Sequence, residues 1–180
     1  MKASEAQALL DGADLICSAE EVHIAVARLA QEISAELKGE FPVVLSVMGG
    51  AAVFTGQLLP LLAFPLEFGA IEVTRYGNTT QGREITWRLA PRDNVRGRKV
   101  LVVDDILDEG ITLAAIHAKL LEMGAEKVWS AVFADKAIAK EKPIHADFVG
   151  VTVPDRYVFG FGMDAYGLWR NLPAIYALKG

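Results

Sequence analysis

Two hydrophobic periods alternate along the chain, and they predict strands that alternate with helices. Apolar residues recur at helical spacing in two long stretches, one before Gly39 and one before Gly124. Short apolar runs typical of buried strands cover Val43–Val47, Val100–Val103, Val128–Ala134 and Asp147–Val153. We therefore predict an α/β fold: an open, mostly parallel, twisted sheet that is flanked by helices.

Local signals mark the ends of two predicted helices. Ser18 and Glu21 form a capping-box signature at the start of a helix that should end at Gly39. This helix presents one apolar face and carries no candidate chemistry. Phe54–Phe64 is typical of a buried helix whose end is disturbed by Pro60.

Two connections are predicted to lie on the surface. Residues 66–89 form a candidate hairpin with the polar loop Tyr76–Arg83 at its tip. Such a tip is either a lid beside an active site or only an exposed loop, and the pattern does not choose between them. Residues 137–145 carry several charges, including Lys142, and are predicted to be a solvated connection.

Composition and charge exclude several classes of protein. The net charge of −5 argues against a nucleic-acid partner, and Cys17 is the only cysteine, so no disulfide framework or thiolate metal cluster is available. A single cysteine fits a reducing cytosol, and we expect a cytoplasmic protein. Residues 41–66 carry no charge, but a glycine pair at 49–50, Pro60 and Pro65 interrupt them, so we expect no membrane span.

The candidate chemistry is concentrated in Val100–Thr112, which reads VLVVDDILDEGIT. A buried strand leads here into acids and a glycine, and then into a helical pattern. In open α/β sheets ligands lie at the carboxyl ends of strands, and the start of a helix offers free N–H groups to a phosphate. The repulsion among Asp104, Asp105 and Asp108 would be relieved by cations or sugar hydroxyls. We therefore predict a phosphate at the helix start with carboxylates above it.

Other motifs add little to this picture. The small residues at Gly49 and Gly50 indicate either a tight turn or a close approach of the backbone to a ligand. The sequence has no phosphate-binding P-loop, no dinucleotide fingerprint and no nucleophile elbow, and its three histidines are scattered.

Val100–Thr112 resembles the 5-phosphoribosyl-1-pyrophosphate (PRPP) signature of type I phosphoribosyltransferases: apolar strand, two acids, two apolar residues, Asp, a variable residue, Gly, a variable residue and Thr. Residues 43–54 resemble the pyrophosphate loop of that family, and residues 75–84 resemble its flexible catalytic hairpin. The segments from Asp135-Lys136 to Arg170 resemble the C-terminal half of hypoxanthine-guanine phosphoribosyltransferases.

The resemblance implies a single domain, 1–180, with a core of about residues 18–150. A small hood would be formed by about residues 151–180 with part of the N-terminus. It also implies transfer of ribose 5-phosphate from PRPP to hypoxanthine or guanine, with Mg²⁺ as cofactor. The expected partners are PRPP and a 6-oxopurine, with no nucleic acid or membrane, in a homo-oligomer that is a dimer or tetramer.

The resemblance also implies roles for individual residues. Contacts to PRPP and its phosphates would come from Met48, Gly49, Arg75, Tyr76, Asp104, Asp105, Glu109, Gly110, Ile111, Thr112 and Arg170. Contacts to the purine would come from Lys136 at the 6-oxo group, Tyr157 by stacking, the Val158 backbone, and Asp164. The Mg²⁺ ligands would be Asp104, Asp105 and Asp164. Asp108 would accept the purine's proton as the glycosidic bond forms.

Two residues depart from the family pattern. Glu109 stands where Thr is usual, so its carboxylate must point away from a phosphate. Met48 stands where many purine enzymes of the family have Lys, which predicts weaker binding of PRPP or pyrophosphate. Two alternatives stay open: a xanthine-preferring transferase, and a PRPP-binding regulator of the same fold that binds RNA or DNA.

Overall fold

The computed structural model describes residues 2–76 and 84–179 and contains alternating helices and strands. The helices are α1 (Ala3–Asp11), α2 (Ala19–Leu37), α3 (Ala52–Leu58) and α4 (Ile111–Glu122). The strands are β1 (Asp14–Cys17), β2 (Val43–Met48), β3 (Glu67–Tyr76), β4 (Glu84–Leu89), β5 (Lys99–Leu107), β6 (Lys127–Ala137), β7 (Phe148–Pro154), β8 (Val158–Phe159) and β9 (Ile175–Ala177).

A six-stranded sheet with the order β4-β3-β2-β5-β6-β7 forms the centre of the fold. All neighbouring strands are parallel except β3 and β4, which pair as the predicted antiparallel hairpin. The predicted fold class is therefore confirmed. The chain places β3 on one side of β2 and β5 on the other, so the strand order reverses between β2 and β5. A crevice forms at such a reversal, outside the carboxyl ends of the strands.

The unbroken apolar run of β5 is explained by helices on both faces of the sheet. Leu101 and Val103 belong to the core beneath α2 and α3, which also contains Leu29, Ile33 and Phe54. Val100 and Val102 face the other core, where Leu113, Ile116 and Leu120 of α4 pack. Because alternate residues of a strand point to opposite faces, both sets must be apolar.

A second, three-stranded sheet with the order β1-β9-β8 joins the beginning and the end of the described chain. Both of its strand pairs are antiparallel. Arg156 fastens it, since its Nη2 donates to Asp14 Oδ2 at 2.6 Å and to the Leu178 carbonyl at 2.8 Å. The segments assigned to the hood meet here, although the division into core and hood stays a prediction.

Several predicted boundaries need correction. The predicted helix over Phe54–Phe64 begins earlier and ends at Leu58, where a single 3₁₀ turn containing Pro60 follows. The sequence pattern did not predict α1, which buries none of its side chains. The capping box of α2 is confirmed, with the Glu21 amide donating to Ser18 Oγ. Among the described residues, no helix is long and apolar enough to cross a membrane.

Candidate active site

Two adjoining cavities lie over the carboxyl ends of β2 and β5, at the reversal of strand order. The larger, of about 390 Å³, is lined by predicted site residues from three segments: Met48, Gly49, Asp104, Asp105, Asp108, Gly110, Thr112, Asp164 and Arg170. The smaller, of about 250 Å³, is lined by Lys136, Tyr157 and Val158 together with four residues that it shares with the first, Asp105, Ile106, Asp108 and Asp164. Glu109 and Ile111 line neither cavity.

The first two acids lie within β5 rather than after it. The strand continues to Leu107, and Asp104 still pairs in register with Val132 of β6. The Asp105 amide donates to Asp104 Oδ1 at 2.9 Å, and the Ile106 amide donates to Asp105 Oδ1 at 2.8 Å. The prediction of acids that follow the strand was therefore wrong for Asp104 and Asp105. The strand backbone itself fixes the direction of both carboxylates.

Of the acids at the end of β5, Asp105 is the one whose charged form is destabilised by burial. Its side chain is only 14% exposed, and Arg170 Nη1 lies 3.9 Å from its Oδ2. Burial raises the pKa of Asp105 above its ordinary value of 3.8, and the hydrogen bonds from its neighbours and the charge of Arg170 offset this only in part. An arriving cation or a set of hydroxyl donors would favour the ionised form.

Gly50 brings the loop after β2 into contact with Asp105. A Cβ atom at Gly50 would overlap the Asp105 carboxylate, and a Cβ atom at Gly162 would overlap the Gly50 carbonyl. Gly162 has φ +99°, a conformation that favours glycine. The small residues after β2 therefore form a tight turn, as one of the two alternatives predicted, and its close approach is to Asp105; an approach to a ligand stays a prediction. The Met48–Gly49 peptide in the same loop is cis.

The start of α4 forms the base of the larger cavity. Gly110 takes the left-handed conformation, with φ +80°, immediately before the helix begins at Ile111. A Cβ atom there would lie 3.2 Å from Pro143 Cδ and 3.4 Å from Lys142 Cβ. The first amides of a twelve-residue helix and its positive dipole end face a cavity with room for a phosphate.

Asp108 and Lys136 meet where the two cavities join. Lys136 Nζ donates to Asp108 Oδ2 at 3.0 Å. The lysine side chain is 13% exposed and the aspartate 42%. Asp108 lines both cavities, and Lys136 lines the smaller one. The structure thus brings together the predicted proton acceptor and the predicted donor to the 6-oxo group.

Asp164 and Arg170, which both line the larger cavity, form an ion pair. Arg170 Nη2 lies 2.7 Å from Asp164 Oδ1, and its Nη1 donates to the Gly162 carbonyl at 2.6 Å. The Gly167 amide donates to the other Asp164 oxygen at 2.6 Å. Both side chains are therefore oriented by the same short hairpin, before any ligand arrives.

Tyr157 has an aromatic partner that sequence reasoning missed. Its ring stacks on Tyr166 with the centroids 5.7 Å apart and an interplanar angle of 17°. Tyr157 is 47% exposed and lines the smaller cavity, so its ring is available to a flat ligand. Tyr166 carried no pattern signal, because it lies in a turn.

The structure does not test the predicted roles of Arg75 and Tyr76, and it places Lys142 differently from its prediction. β3 reaches Tyr76, but the side chains of Arg75 and Tyr76 lie outside the described residues, as do residues 77–83 at the predicted lid. Most of residues 137–145 are exposed, as predicted for a solvated connection, but the Lys142 side chain departs from that prediction and is only 8% exposed.

Comparisons with known proteins agree with this geometry. A family model described as a phosphoribosyl transferase domain matches residues 14–166. The hypoxanthine-guanine phosphoribosyltransferase of Bacillus subtilis is 33% identical over 166 residues, which cover 92% of this chain and 92% of that protein. The hypoxanthine-guanine-xanthine phosphoribosyltransferase of Tritrichomonas foetus is 32% identical over 161 residues, covering 89% and 88%. A crystal structure of a hypoxanthine-guanine phosphoribosyltransferase from Bacillus anthracis matches with a TM-score of 0.86 at 28% identity, covering 92% and 98%.

Proposed function

This chain belongs to the phosphoribosyltransferase family, among its purine-salvage members, and we propose that it transfers ribose 5-phosphate from PRPP to hypoxanthine or guanine. One observation carries the choice of substrate: Lys136 Nζ lies 3.0 Å from Asp108 Oδ2 at the junction of the two cavities. A donor for an exocyclic oxygen and an acceptor for a ring proton therefore stand side by side. This spacing suits a 6-oxopurine, whereas adenine carries an amino group where Lys136 would donate.

The proposed reaction breaks the bond between C1 of the ribose and the pyrophosphate oxygen, and forms a bond between C1 and a purine nitrogen. The electron pair of the broken bond leaves with pyrophosphate. As this bond forms, the proton of the purine's imidazole ring passes to the Asp108 carboxylate, which gives IMP from hypoxanthine or GMP from guanine. Lys136, released from Asp108, donates to the 6-oxo group, and Tyr157 stacks on the purine ring.

The larger cavity supports the proposed placement of the ribose and its phosphates. The 5-phosphate would accept hydrogen bonds from the amides of residues 108–112 and from the Thr112 hydroxyl. The ribose hydroxyls would donate to Asp104 and Asp105, whose directions the strand fixes. Arg170 would contact the pyrophosphate, because its guanidinium is already directed into the cavity beside Asp105.

We propose Mg²⁺ as the cofactor, and the donor set fits it. Mg²⁺ is usually bound by one or two carboxylates together with substrate oxygens and water, rather than by a cage of protein ligands. The cavity offers Asp104, Asp105 and Asp164, while in the described part of the chain no three ligating side chains converge on one point. When bound, the ion would neutralise charge on the leaving pyrophosphate.

The experiment that tests this function is a panel assay. Purified protein is incubated with Mg²⁺ and PRPP and with hypoxanthine, guanine, xanthine or adenine, and the nucleotide formed is separated and measured. We expect IMP and GMP, and no AMP. If none of the three oxopurines is converted, the proposed function is wrong.

A xanthine-preferring enzyme is the second candidate, because the similar protein from Tritrichomonas foetus is named for xanthine as well. The same panel decides between the two, since this candidate requires xanthine to have the highest kcat/KM. The regulator is disfavoured by the net charge of −5.

A further inference from the structure

The connection between β6 and β7 buries one lysine beneath the candidate active site. Lys142 Nζ donates to the Leu107 carbonyl at 2.7 Å, to the Lys136 carbonyl at 2.6 Å and to Asp135 Oδ1 at 2.5 Å. An ammonium group has three N–H donors, and all three are used here. A buried lysine with a full set of acceptors differs from the solvated lysines that usually occupy such connections.

The two carbonyls belong to the backbone on either side of the Asp108–Lys136 pair. Leu107 immediately precedes Asp108, and the other carbonyl is that of Lys136 itself. The ends of β5 and β6 separate after their last ladder pair, Leu107 with Asp135. One ammonium group therefore holds the two strand ends together at the point where their functional side chains must meet.

The same segment supports residues 108–112, which would hold the 5-phosphate and are called the phosphate loop below. A Cβ atom at Gly110 would meet Pro143 Cδ at 3.2 Å, Lys142 Cβ at 3.4 Å and Ile144 Cγ2 at 3.5 Å. Residues 142–144 thus pack directly against the glycine that precedes α4. A displacement of residues 142–144 would therefore shift both the phosphate loop and the Asp108–Lys136 pair.

We propose that Lys142 is a positioning residue for catalysis: its ammonium group fixes the backbone that carries Asp108 and Lys136, so that the two side chains meet the purine in a set geometry. Lys142 lines neither cavity, so we place its role in the backbone rather than at the ligand. Its positive charge is balanced by Asp135, which holds the ammonium group from the third direction. The role in catalysis rests on the proposed function, whereas the role in fixing the backbone does not.

The test compares Lys142→Met with Lys140→Met, a matched control on the same connection, since Lys140 is exposed. Steady-state kinetics with hypoxanthine, guanine and PRPP are measured alongside thermal unfolding. We expect Lys142→Met to lower kcat/KM for the purine by roughly 10- to 100-fold, because small misplacements of reacting groups have effects of this size. A fall confined to stability, with kcat and the purine KM unchanged in the folded protein, would overturn the proposal.

Hydrogen exchange provides a readout that does not depend on activity. Amides of residues 107–112 should exchange faster in Lys142→Met than in the parent or in Lys140→Met. If the parent converts no purine, the proposed function fails while this measurement still decides the structural role of Lys142. Unchanged exchange in residues 107–112 would overturn the proposal even in an active enzyme.

Asp135→Asn covers the case in which Lys142→Met does not fold. This variant keeps an oxygen within reach of Lys142 but removes the balancing charge. We expect a smaller fall in purine kcat/KM, of about 3- to 10-fold, with the PRPP KM changing less than the purine KM. A purine kcat/KM equal to that of the parent would then count against the role of Lys142.

Discussion

Asp105 shows how a single side chain can trade stability for binding. It is enclosed by Gly50, Asp104 and Arg170, and burial raises its pKa in the folded protein. The folded protein therefore holds the proton of Asp105 to a higher pH than the unfolded chain does. This contribution to stability is fully present below the unfolded pKa and is lost as the pH rises through the folded pKa.

We predict that Asp105→Asn stabilises the ligand-free protein at pH 7. The amide carries no charge to desolvate, so Tm should rise by roughly 2–4 °C, the change that about 1 kcal/mol causes in a chain of this length. The difference in Tm between parent and variant should shrink as the pH is lowered. Thermal unfolding from pH 4 to pH 8 measures this, and a variant less stable than the parent at pH 7 would contradict it. PRPP binding should weaken in the same variant.

Asp108 is predicted to act in turnover rather than in folding, because its side chain is 42% exposed and faces the cavities. Asp108→Ala should lower kcat by about 10²- to 10⁴-fold, the usual contribution of a positioned proton acceptor. Circular dichroism and Tm should stay close to those of the parent. Asp93→Ala is the control, since Asp93 is exposed and lines neither cavity. A turnover unaffected by Asp108→Ala would remove Asp108 from its proposed role.

Met48 is the residue at which binding could be improved. Its side chain is 38% exposed and lines the larger cavity beside Gly49. Met48→Lys would add an ammonium group near the proposed pyrophosphate position, where a charge-assisted hydrogen bond is worth about 1–3 kcal/mol. Calorimetric titration with pyrophosphate and with PRPP should show tighter binding by roughly fivefold or more. No gain for either ligand would show that the absence of Lys is not limiting.

At the scale of elements, the loop after β2 is held in place by contacts from two separate segments, β5 and the C-terminal segment. Gly50 touches Asp105 of β5 on one side, and Gly162 of the C-terminal segment lies against its carbonyl on the other. The small residues predicted either a tight turn or a close approach to a ligand, and they did not predict Asp105 as a neighbour. The neighbour depends on which strands pair, and this is set by the whole sheet.

We predict that Gly50→Ala destabilises the protein and weakens PRPP binding. The new methyl group would displace the Asp105 carboxylate, and such overpacking typically costs about 1–3 kcal/mol. Gly56→Ala in α3 is the matched control, because a Cβ atom there meets nothing within 4 Å. That change should leave binding unaltered and raise stability by about 0.5–1 kcal/mol. Denaturant unfolding and PRPP titration of both variants measure the difference, and equal behaviour would refute the role of Gly50.

Elements whose own side chains carry the signal could be predicted from the sequence, whereas features that depend on contacts from distant segments could not. The run Val100–Val103 predicted a strand buried on both faces, because each residue's own side chain carries that signal. α1 carried no such signal, since it buries no side chain. It is contacted instead from the far end of the chain, where the Trp169 indole donates to the Ala6 carbonyl at 3.0 Å. The burial of Lys142 was hidden for a similar reason: its acceptors lie on other segments, on β5 and β6.

At the scale of the whole molecule, the candidate site is assembled from four stretches that lie far apart in sequence. The loop after β2, the end of β5, the end of β6 and the C-terminal segment all meet at the reversal of strand order. The sequence could predict that ligands lie at the strand ends, and the resemblance supplied the residues. The pairings Asp108–Lys136 and Asp164–Arg170 follow only from the assembled structure.

The small sheet also constrains the order in which the protein can be completed during synthesis. Its middle strand is β9, while β1 and β8 on either side of it are made earlier. A nascent chain can therefore fold the central sheet first, but β1 and β8 have no partner until Ile175–Ala177 has left the ribosome. Val158 of the smaller cavity pairs with Ala177. The wall of the smaller cavity that contains Val158 is thus completed last, so a chain that stalls before residue 175 would lack this wall while the carboxyl ends of β2 and β5 are already in place.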